Sequence, residues 1–523
     1  MARILHTRAG ERYRADVVRA PRDKGGITGG FFAIALLSII GFGHALTFGF
    51  VYDDHWTVEG NRALDLGLVP LLGTLLSGQG VARGIPDATR PTMVTSMWLD
   101  RRLFGLDPAG HHLHSLLLYC VCASLAAVCV FAVTRSTRAA LAGGLLFAIA
   151  PAHAEVVAAI NYREDLESAF SVFALVAWLF CPRARDSGVC AALAALSLIV
   201  GLLAKESAVV LFPIALAIAS TRFRVASLVR QRRTSLAALG FTAVAWAAWR
   251  AWLRLSGRDD VPLALEHRGI LERVLRTARY AVRATFDGAV PIRWSPEYAP
   301  EGTPSISWLV PLVGLVALIV WLSKHRRLRA VAAGLAVALV APLATSPLVS
   351  PVNETADRYV FIGSLGGAIV WGTLVDRFLA FVPEKFRLLF LGSASIPLII
   401  MSHQAIVPFQ SDADLWRVAT ERAPLSPRAF AGLSRVRRLE GDLDGADRAV
   451  ERALRLDPRS LTARLTRVYN HLARGDVAAA RADIRNIQAM GGGAHRGVPR
   501  AVRCAALEPA KAARCIDAPR ETP

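Results

Sequence analysis

Lysine is scarce in this chain. Only Lys24, Lys205, Lys324, Lys385 and Lys511 stand among 61 basic residues, the rest being arginine, a bias that points to a GC-rich bacterial genome. Charge of either sign makes up only 20% of the sequence and lies in clusters between long apolar runs. That distribution excludes an ordinary soluble domain. It also sets aside a nucleic-acid partner despite the net charge of +20, because the arginines fall in short gaps between runs rather than on one binding face. No glycine-rich phosphate loop occurs, which excludes the common nucleotide cradles; no His/Cys metal spacing and no nucleophile elbow occur either. Cysteine is sparse. Cys120, Cys122, Cys129, Cys181 and Cys190 lie in or beside apolar runs and read as small buried hydrophobes. Cys504 and Cys515 stand in a polar tail, where a disulfide and two free thiols are equally open readings.

What is abundant is apolar surface: 54% of residues are hydrophobic and the mean hydropathy is +0.39. Stretches near the length of a membrane helix, about 17–25 residues, fall at 28–51, 112–133, 138–159, 166–181, 189–204, 206–220, 235–255, 306–323, 328–347, 359–377 and 386–405. The expected fold is therefore all-α, a polytopic bundle of about eleven spans in a cell inner membrane. With the basic segment 1–27 in the cytoplasm, alternate gaps should be cytoplasmic and basic. They carry Arg135/Arg138, Arg183/Arg185, Arg222 to Arg233, Lys324 to Arg329 and Arg377/Lys385/Arg387. The other gaps, among them loops 52–111 and 256–305, hold Asp53-Asp54, Asn161 to Asp165, Lys205-Glu206 and Asn353 to Arg358. This alternation places the polar chemistry, and the C-terminus, on the outer, periplasmic face.

The membrane domain is read as 28–408. From 409 to 490 a different grammar takes over, with a 34-residue offset relating Trp416 to Val450, Ala419 to Ala453, Pro424 to Pro458, Gly441-Asp442 to Gly475-Asp476, and Ala446 to Ala480. That is tetratricopeptide spacing, about two and a half repeats, fewer than the ~3 a free stack needs. The repeats are expected to lean on the membrane domain or on a protein partner, with 491–523 a polar tail.

The candidate chemistry gathers in the outer gaps. Asp53-Asp54, at the exit of the first run, offers a general base, an acceptor-binding carboxylate or a metal ligand, although a solvated loop start is the commoner meaning of such a pair. His153 and Glu155, in Pro151-Ala152-His153-Ala154-Glu155, sit in an apolar run; a glutamate there needs a cavity or a partner, and Arg163 can be that partner. Lys205-Glu206 forms a charged turn that either simply joins two spans or offers a cation to phosphate. Arg358-Tyr359 suits bidentate phosphate binding or interfacial anchoring. The segment 270–286 reads as an amphipathic helix lying on the membrane surface or in a globular loop.

Taken in order, the acidic pair, Arg90-Pro91, Pro-x-His-x-Glu, Arg163-Glu164-Asp165-Leu166, Ala204-Lys205-Glu206, Asp357-Arg358-Tyr359 and the repeats resemble the transmembrane and tetratricopeptide-repeat O-mannosyltransferases, polytopic glycosyltransferases of the GT-C class. The resemblance implies an inverting, metal-independent enzyme that needs no cofactor and takes mannose or another hexose from a polyprenyl-phosphate sugar in the membrane lipid. The acceptor would be a hydroxyl of protein, lipid or glycan. It implies Asp54 as the base, with Asp53 next in line. Glu155, Arg163, His153, Lys205, Glu206, Arg358 and Tyr359 would bind substrate. Two other readings compete. A non-enzymatic scaffold would use the repeats to recruit envelope partners, and a lipid-linked-sugar transporter would place its charges near mid-membrane.

Overall fold

The computed structural model describes residues 24–181, 184–258, 269–347, 355–491, 498–508, 511 and 515. The segment 1–23, Arg183, Asn353 and Glu354 lie outside the described residues, as does most of 491–523. Among the described residues the chain is helical without strands, and each of the eleven apolar runs forms helix. Among the described residues five helices are long and apolar enough to cross a membrane, Thr28–Thr47, Pro108–Thr134, Arg233–Leu255, Ile306–Lys324 and Glu384–Gln410, or six if the bent pair Thr137–Ala148 and Pro151–Ala158 is one span. Shorter apolar helices, such as Gly188–Ala204, Glu206–Thr221 and Arg329–Thr345, pack between them.

Local sequence explains the principal boundaries. Pro108 opens the 27-residue helix Pro108–Thr134 at its first turn, where a missing N–H costs nothing. The Asp107 side chain caps it by accepting the Ala109 N–H at 3.1 Å. The helix ends at Arg135, whose φ of 64° breaks the helical path. The third run does not continue straight. Pro151 cannot extend the helix Thr137–Ala148, so the chain bends by 57° before a short helix at Ala154–Ala158. The polar groups freed at this break are satisfied from elsewhere: the Ala152 N–H donates to the Pro291 carbonyl (3.1 Å) and the Ser402 hydroxyl to the Ile149 carbonyl (2.7 Å). The break places Glu155 in the first turn of the short helix Ala154–Ala158, where it is buried.

Close helix contact depends on missing side chains. Thr137–Ala148 lies against Ser364–Leu379 through Gly143 and Gly372, where a Cβ would collide with the carbonyl oxygens of Ala368 and Ala139. At the end remote from Glu155, guanidinium groups cap helix C-termini. Arg135 donates to the Phe180 carbonyl at 2.9 Å, Arg222 to Val133 at 3.0 Å, and Arg232 to Leu179 at 3.1 Å.

The C-terminal region is a run of antiparallel helix pairs. Pro427–Leu439 and Leu461–Ala473 start 34 residues apart, as do Leu443–Leu456 and Val477–Ala489. The same offset relates their capping residues, Ser426 with Ser460 and Asp442 with Asp476. It also relates the left-handed turn glycines Gly441 (φ 85°) and Gly475 (φ 76°). Cys504 and Cys515 form a disulfide beside the last described helix. The preceding helix Asp412–Arg422 rests on the membrane domain. Asp412 accepts the Tyr52 N–H at 2.7 Å and faces the His55 ring at 3.2 Å, while Arg422 stacks 3.4 Å over Trp294.

Candidate active site

The first loop begins under strain. Tyr52 holds a left-handed φ of 57°, and His55–Glu59 forms a turn of π-helix, two features that concentrate at functional sites. Asp54 is completely buried. Its carboxylate accepts the backbone N–H of Val51 (3.3 Å), Ile160 (3.2 Å) and Asn161 (2.6 Å). Burial pushes its pKa up to about 7 against the pull of these three donors, with a further push from Asp53. Asp54 thus clasps the first loop to the segment after the bent span. Asp53 is only half-buried, and its charge, like that of Glu155, acts on the hydroxyl of Tyr162.

Glu155 and Arg358 meet as an ion pair in which the Arg358 guanidinium and its backbone N–H, at 2.9 Å, occupy the two carboxylate oxygens. Arg358 lies 4.1 Å over the Tyr162 ring and 4.9 Å over Tyr359. Glu155, Tyr162 and Arg358 line a cavity of about 450 Å³ together with Tyr52, Glu297, Tyr298 and, from the C-terminal region, Leu415, Trp416 and Arg428. A second cleft of about 590 Å³ adjoins it, sharing Tyr298, Thr355 and Ala356, and is lined by Arg276, Arg279, Arg283 and Arg293. Three of these arginines lie on the helix Ile270–Ala289. Glu301 pairs with Arg279 (2.8 Å) and Arg283, and Asp287 faces Arg293 at 3.7 Å. Burial first, then the guanidiniums of Arg279 and Arg293, hold Arg283 below its ordinary pKa. The helix leaves Ile270, Leu271, Val274 and Phe286 exposed while Arg276 and Arg279 are buried. Its basic side therefore faces the cleft rather than water.

Asp357, quoted from the sequence only as part of Asp357-Arg358-Tyr359 and given no role there, joins the two clefts. It accepts the Ser295 N–H at 2.9 Å and the Tyr298 hydroxyl at 2.5 Å. Burial and the nearby Glu155 push its carboxyl well above the usual range. Glu297, Tyr298 and Arg428 escaped notice and Trp416 was read only as a repeat position, because a glutamate between two prolines and residues inside a repeat look like scaffolding.

The remaining residues expected at the site line neither cleft, although the charge of Arg358 reaches Lys205 and Asp165. Arg163 is enclosed by Asp100, the Ser115 hydroxyl (3.0 Å) and the His111 carbonyl (2.8 Å). Lys205 is buried between Glu164 (2.9 Å) and Asp165 (2.6 Å). Arg90 ties Glu164 (2.5 Å) to Glu206 (3.1 Å). The Arg163-Glu164-Asp165 run is thus a hub joining the first loop to the Lys205-Glu206 turn, and its cations are saturated by carboxylates. His153 sits in an aromatic core, sharing hydrogen bonds with the Tyr119 hydroxyl (2.9 Å) and Ser364 (2.8 Å). Tyr359 supports Arg358 without lining the cavity.

Fold and site together define an all-helical membrane protein with paired carboxylate- and arginine-lined clefts at one end of its bundle. A stretch of the chain is similar to the Tmtc protein O-mannosyl-transferases. It is 31% identical over 168 residues to protein O-mannosyl-transferase Tmtc1 of Drosophila melanogaster, covering 31% of this chain and 19% of that protein. It is 32% identical over 165 residues to TMTC1 of Mus musculus, 30% of this chain and 17% of that one. Against Drosophila Tmtc2 it is 32% identical over 161 residues, 29% of this chain and 17% of the relative. The matched stretch thus spans about a fifth of these relatives' own length. No protein-family model matches the chain, and no solved structure matches it.

Proposed function

We propose that this protein transfers a sugar, mannose or another hexose, from a polyprenyl-phosphate donor to an acceptor hydroxyl on the outer face of the membrane. The observation that carries the reading is the pair of adjoining clefts. One is ringed by arginines, as a phosphate ester requires, and the other is lined by a carboxylate–arginine pair and aromatic rings, as a hydroxyl-bearing acceptor and a sugar require. The names of the relatives favour a protein acceptor. The arginine-rich gaps support a cytoplasmic N-terminus with the repeats outside, in the periplasm of an inner-membrane protein.

In this reading Arg283 and Arg293 receive the lipid phosphate, and the exposed apolar residues of the helix Ile270–Ala289 face the lipid chain. The acceptor oxygen attacks the anomeric carbon and passes its proton to Asp53. The anomeric C–O bond breaks with its electrons going to the phosphate, where Arg358 and the cleft arginines offset the growing charge. A single displacement inverts the anomeric centre. Because guanidinium groups supply the positive charge, we expect transfer without a metal. Asp53 takes the role that the sequence suggested for Asp54, because it is half-buried next to the cavity-lining Tyr52 and its charge reaches Tyr162, whereas Asp54 clasps three backbone N–H groups. Glu155 holds Arg358 in place.

Glycans on envelope proteins of cells producing wild type or Asp53→Asn test this. Loss of one glycan class in the variant, at equal protein abundance, supports transfer; identical glycans in both strains contradict it.

A further inference from the structure

The repeats supply part of the wall of the acceptor-side cavity. Leu415 and Trp416, from the helix Asp412–Arg422, line it together with Phe409, which stands just before that helix. Three ties seat this helix and the next on the membrane domain. The Tyr52 N–H donates to Asp412 at 2.7 Å, Arg422 stacks over Trp294, and the Ser426 hydroxyl donates to the Glu297 carboxyl. Arg428 lines the cavity as well, but it is occupied, lying 5.1 Å over the Tyr52 ring and 3.6 Å from Glu297.

Trp416 differs from these groups. It is only 5% exposed, and its indole N–H is buried without an acceptor. Native structures keep very few such donors, because each forfeits its hydration and gains no partner. The ring is clamped in place. A Cβ on Gly432 would fall 2.1 Å from it, so the helix Pro427–Leu439 is pressed against the indole. Tyr52 flanks it on another side, with ring centres 5.5 Å apart. This part of the cavity therefore offers one fixed donor set in an apolar wall of Phe409, Leu415 and Trp416.

Such a wall discriminates between ligands. A hexose carries a hydroxyl on most of its ring carbons, and an apolar wall would leave these unpaired. An extended polypeptide suits it better. Its carbonyls are not consumed by internal hydrogen bonds, and main-chain contacts combined with a place for a neighbouring side chain are a general way of holding extended peptides. We propose that Trp416 reads the main chain of an extended acceptor polypeptide, its indole N–H donating to a carbonyl and the apolar wall receiving an apolar side chain beside it. Tyr52 packs beside Trp416 and directly precedes Asp53, so the bound carbonyl belongs to a residue close to the accepting serine or threonine. This deepens the transferase reading by naming the acceptor class, and it rests on that reading only for the hydroxyl, not for the binding. The repeats become a wall of the site rather than a detachable recruiting module.

The test is peptide binding to the full-length protein in lipid nanodiscs, read by fluorescence anisotropy. The probes are a labelled threonine peptide with proline and valine flanks, which is extended, and a labelled threonine peptide locked into a helix by a hydrocarbon staple. The extended peptide should bind about 10-fold more tightly, the scale of one buried donor gaining its acceptor. Trp416→Phe keeps an aromatic ring and removes the N–H; it should weaken the extended peptide about 10-fold and leave the helical one unchanged. Trp321→Phe, on an exposed part of the helix Ile306–Lys324, should bind both as wild type does. Equal affinities for the two peptides in wild type, or full affinity for the extended peptide in Trp416→Phe, would overturn the proposal. So would a loss of methyl mannoside binding in Trp416→Phe, read by saturation-transfer NMR, with peptide binding intact, since the indole would then serve the sugar. Trp416-dependent peptide binding without sugar transfer leaves the recognition standing and removes the transferase reading; transfer that Trp416→Phe does not slow does the reverse.

Discussion

Replacing Asp54 by asparagine should damage the fold before it damages chemistry. One carboxylate oxygen of Asp54 accepts Asn161 N–H at 2.6 Å; the other accepts both Val51 N–H, at 3.3 Å, and Ile160 N–H, at 3.2 Å. An asparagine can keep the first contact through its carbonyl oxygen. Its NH₂ then confronts two backbone donors in a site with no exposure to solvent. A buried N–H stripped of its acceptor costs about 1–3 kcal/mol, so two of them cost on the order of 2–4 kcal/mol after local relaxation. In a cooperative domain that corresponds to a melting temperature lower by on the order of 5 °C. Asp53→Asn, at a half-buried position, should shift melting by less than about 1 °C. The assay is thermal unfolding of both variants in the same detergent, followed by tryptophan fluorescence. If Asp54→Asn melted with wild type, or Asp53→Asn were the less stable of the two, the clasp would not exist as described.

Four other outcomes follow from the same geometry. Glu155→Gln removes the counter-charge of a nearly buried Arg358; it should cost about 3–5 kcal/mol of stability and lower transfer about 100-fold or more, measured by unfolding and by turnover. Arg283→Ala with Arg293→Ala should raise the KM for a polyprenyl-phosphate sugar about 10-fold with a smaller change in kcat, and the effect should shrink as salt is added. The latch between His55 and the repeats is sensitive to alkali. The partners Asp412 and Glu59 raise the pKa of His55 from 6.5 to about 9, so its stabilising contribution is complete below the unfolded value and disappears as pH rises through about 9. Hydrogen exchange in 412–422 should therefore accelerate between pH 7 and pH 9.5 in wild type beyond the intrinsic rate, and His55→Gln should abolish that extra acceleration. Transfer should be unchanged by a chelator, since guanidinium groups neutralise the leaving phosphate; loss of activity on chelation, restored by a divalent cation, would refute that part.

Much of the architecture was legible because it follows from one-dimensional rules. Apolar runs became helices, Pro151 broke the third of them, and the 34-residue offset reappeared in paired caps at Ser426/Ser460 and Asp442/Asp476. Glu155 and Arg358 lie far apart in sequence, yet both were marked by a charge at a helix end, where charge is costly without a partner. What sequence does not display is which way a charge points. Arg163, Lys205 and Glu206 carry the same signal as Glu155, but they turn inward and neutralise one another with Asp100, Glu164, Asp165 and Arg90. Asp54 and Asp53 are adjacent, and only the left-handed turn at Tyr52 and the donors from the Ile160-Asn161 segment separate clasp from candidate base. Arg428 was illegible for another reason. Its meaning arises from docking of the repeats on the first loop, a long-range contact that no local pattern encodes.

Sugar transfer from a lipid phosphate at the paired clefts can be assayed with purified protein in lipid nanodiscs, a radiolabelled polyprenyl-phosphate mannose and a threonine peptide. Wild type should label the peptide, and Asp53→Asn should lose about 100-fold or more of that rate, at unchanged melting temperature. Unlabelled peptide with wild type, or equal rates for the two proteins, would contradict it.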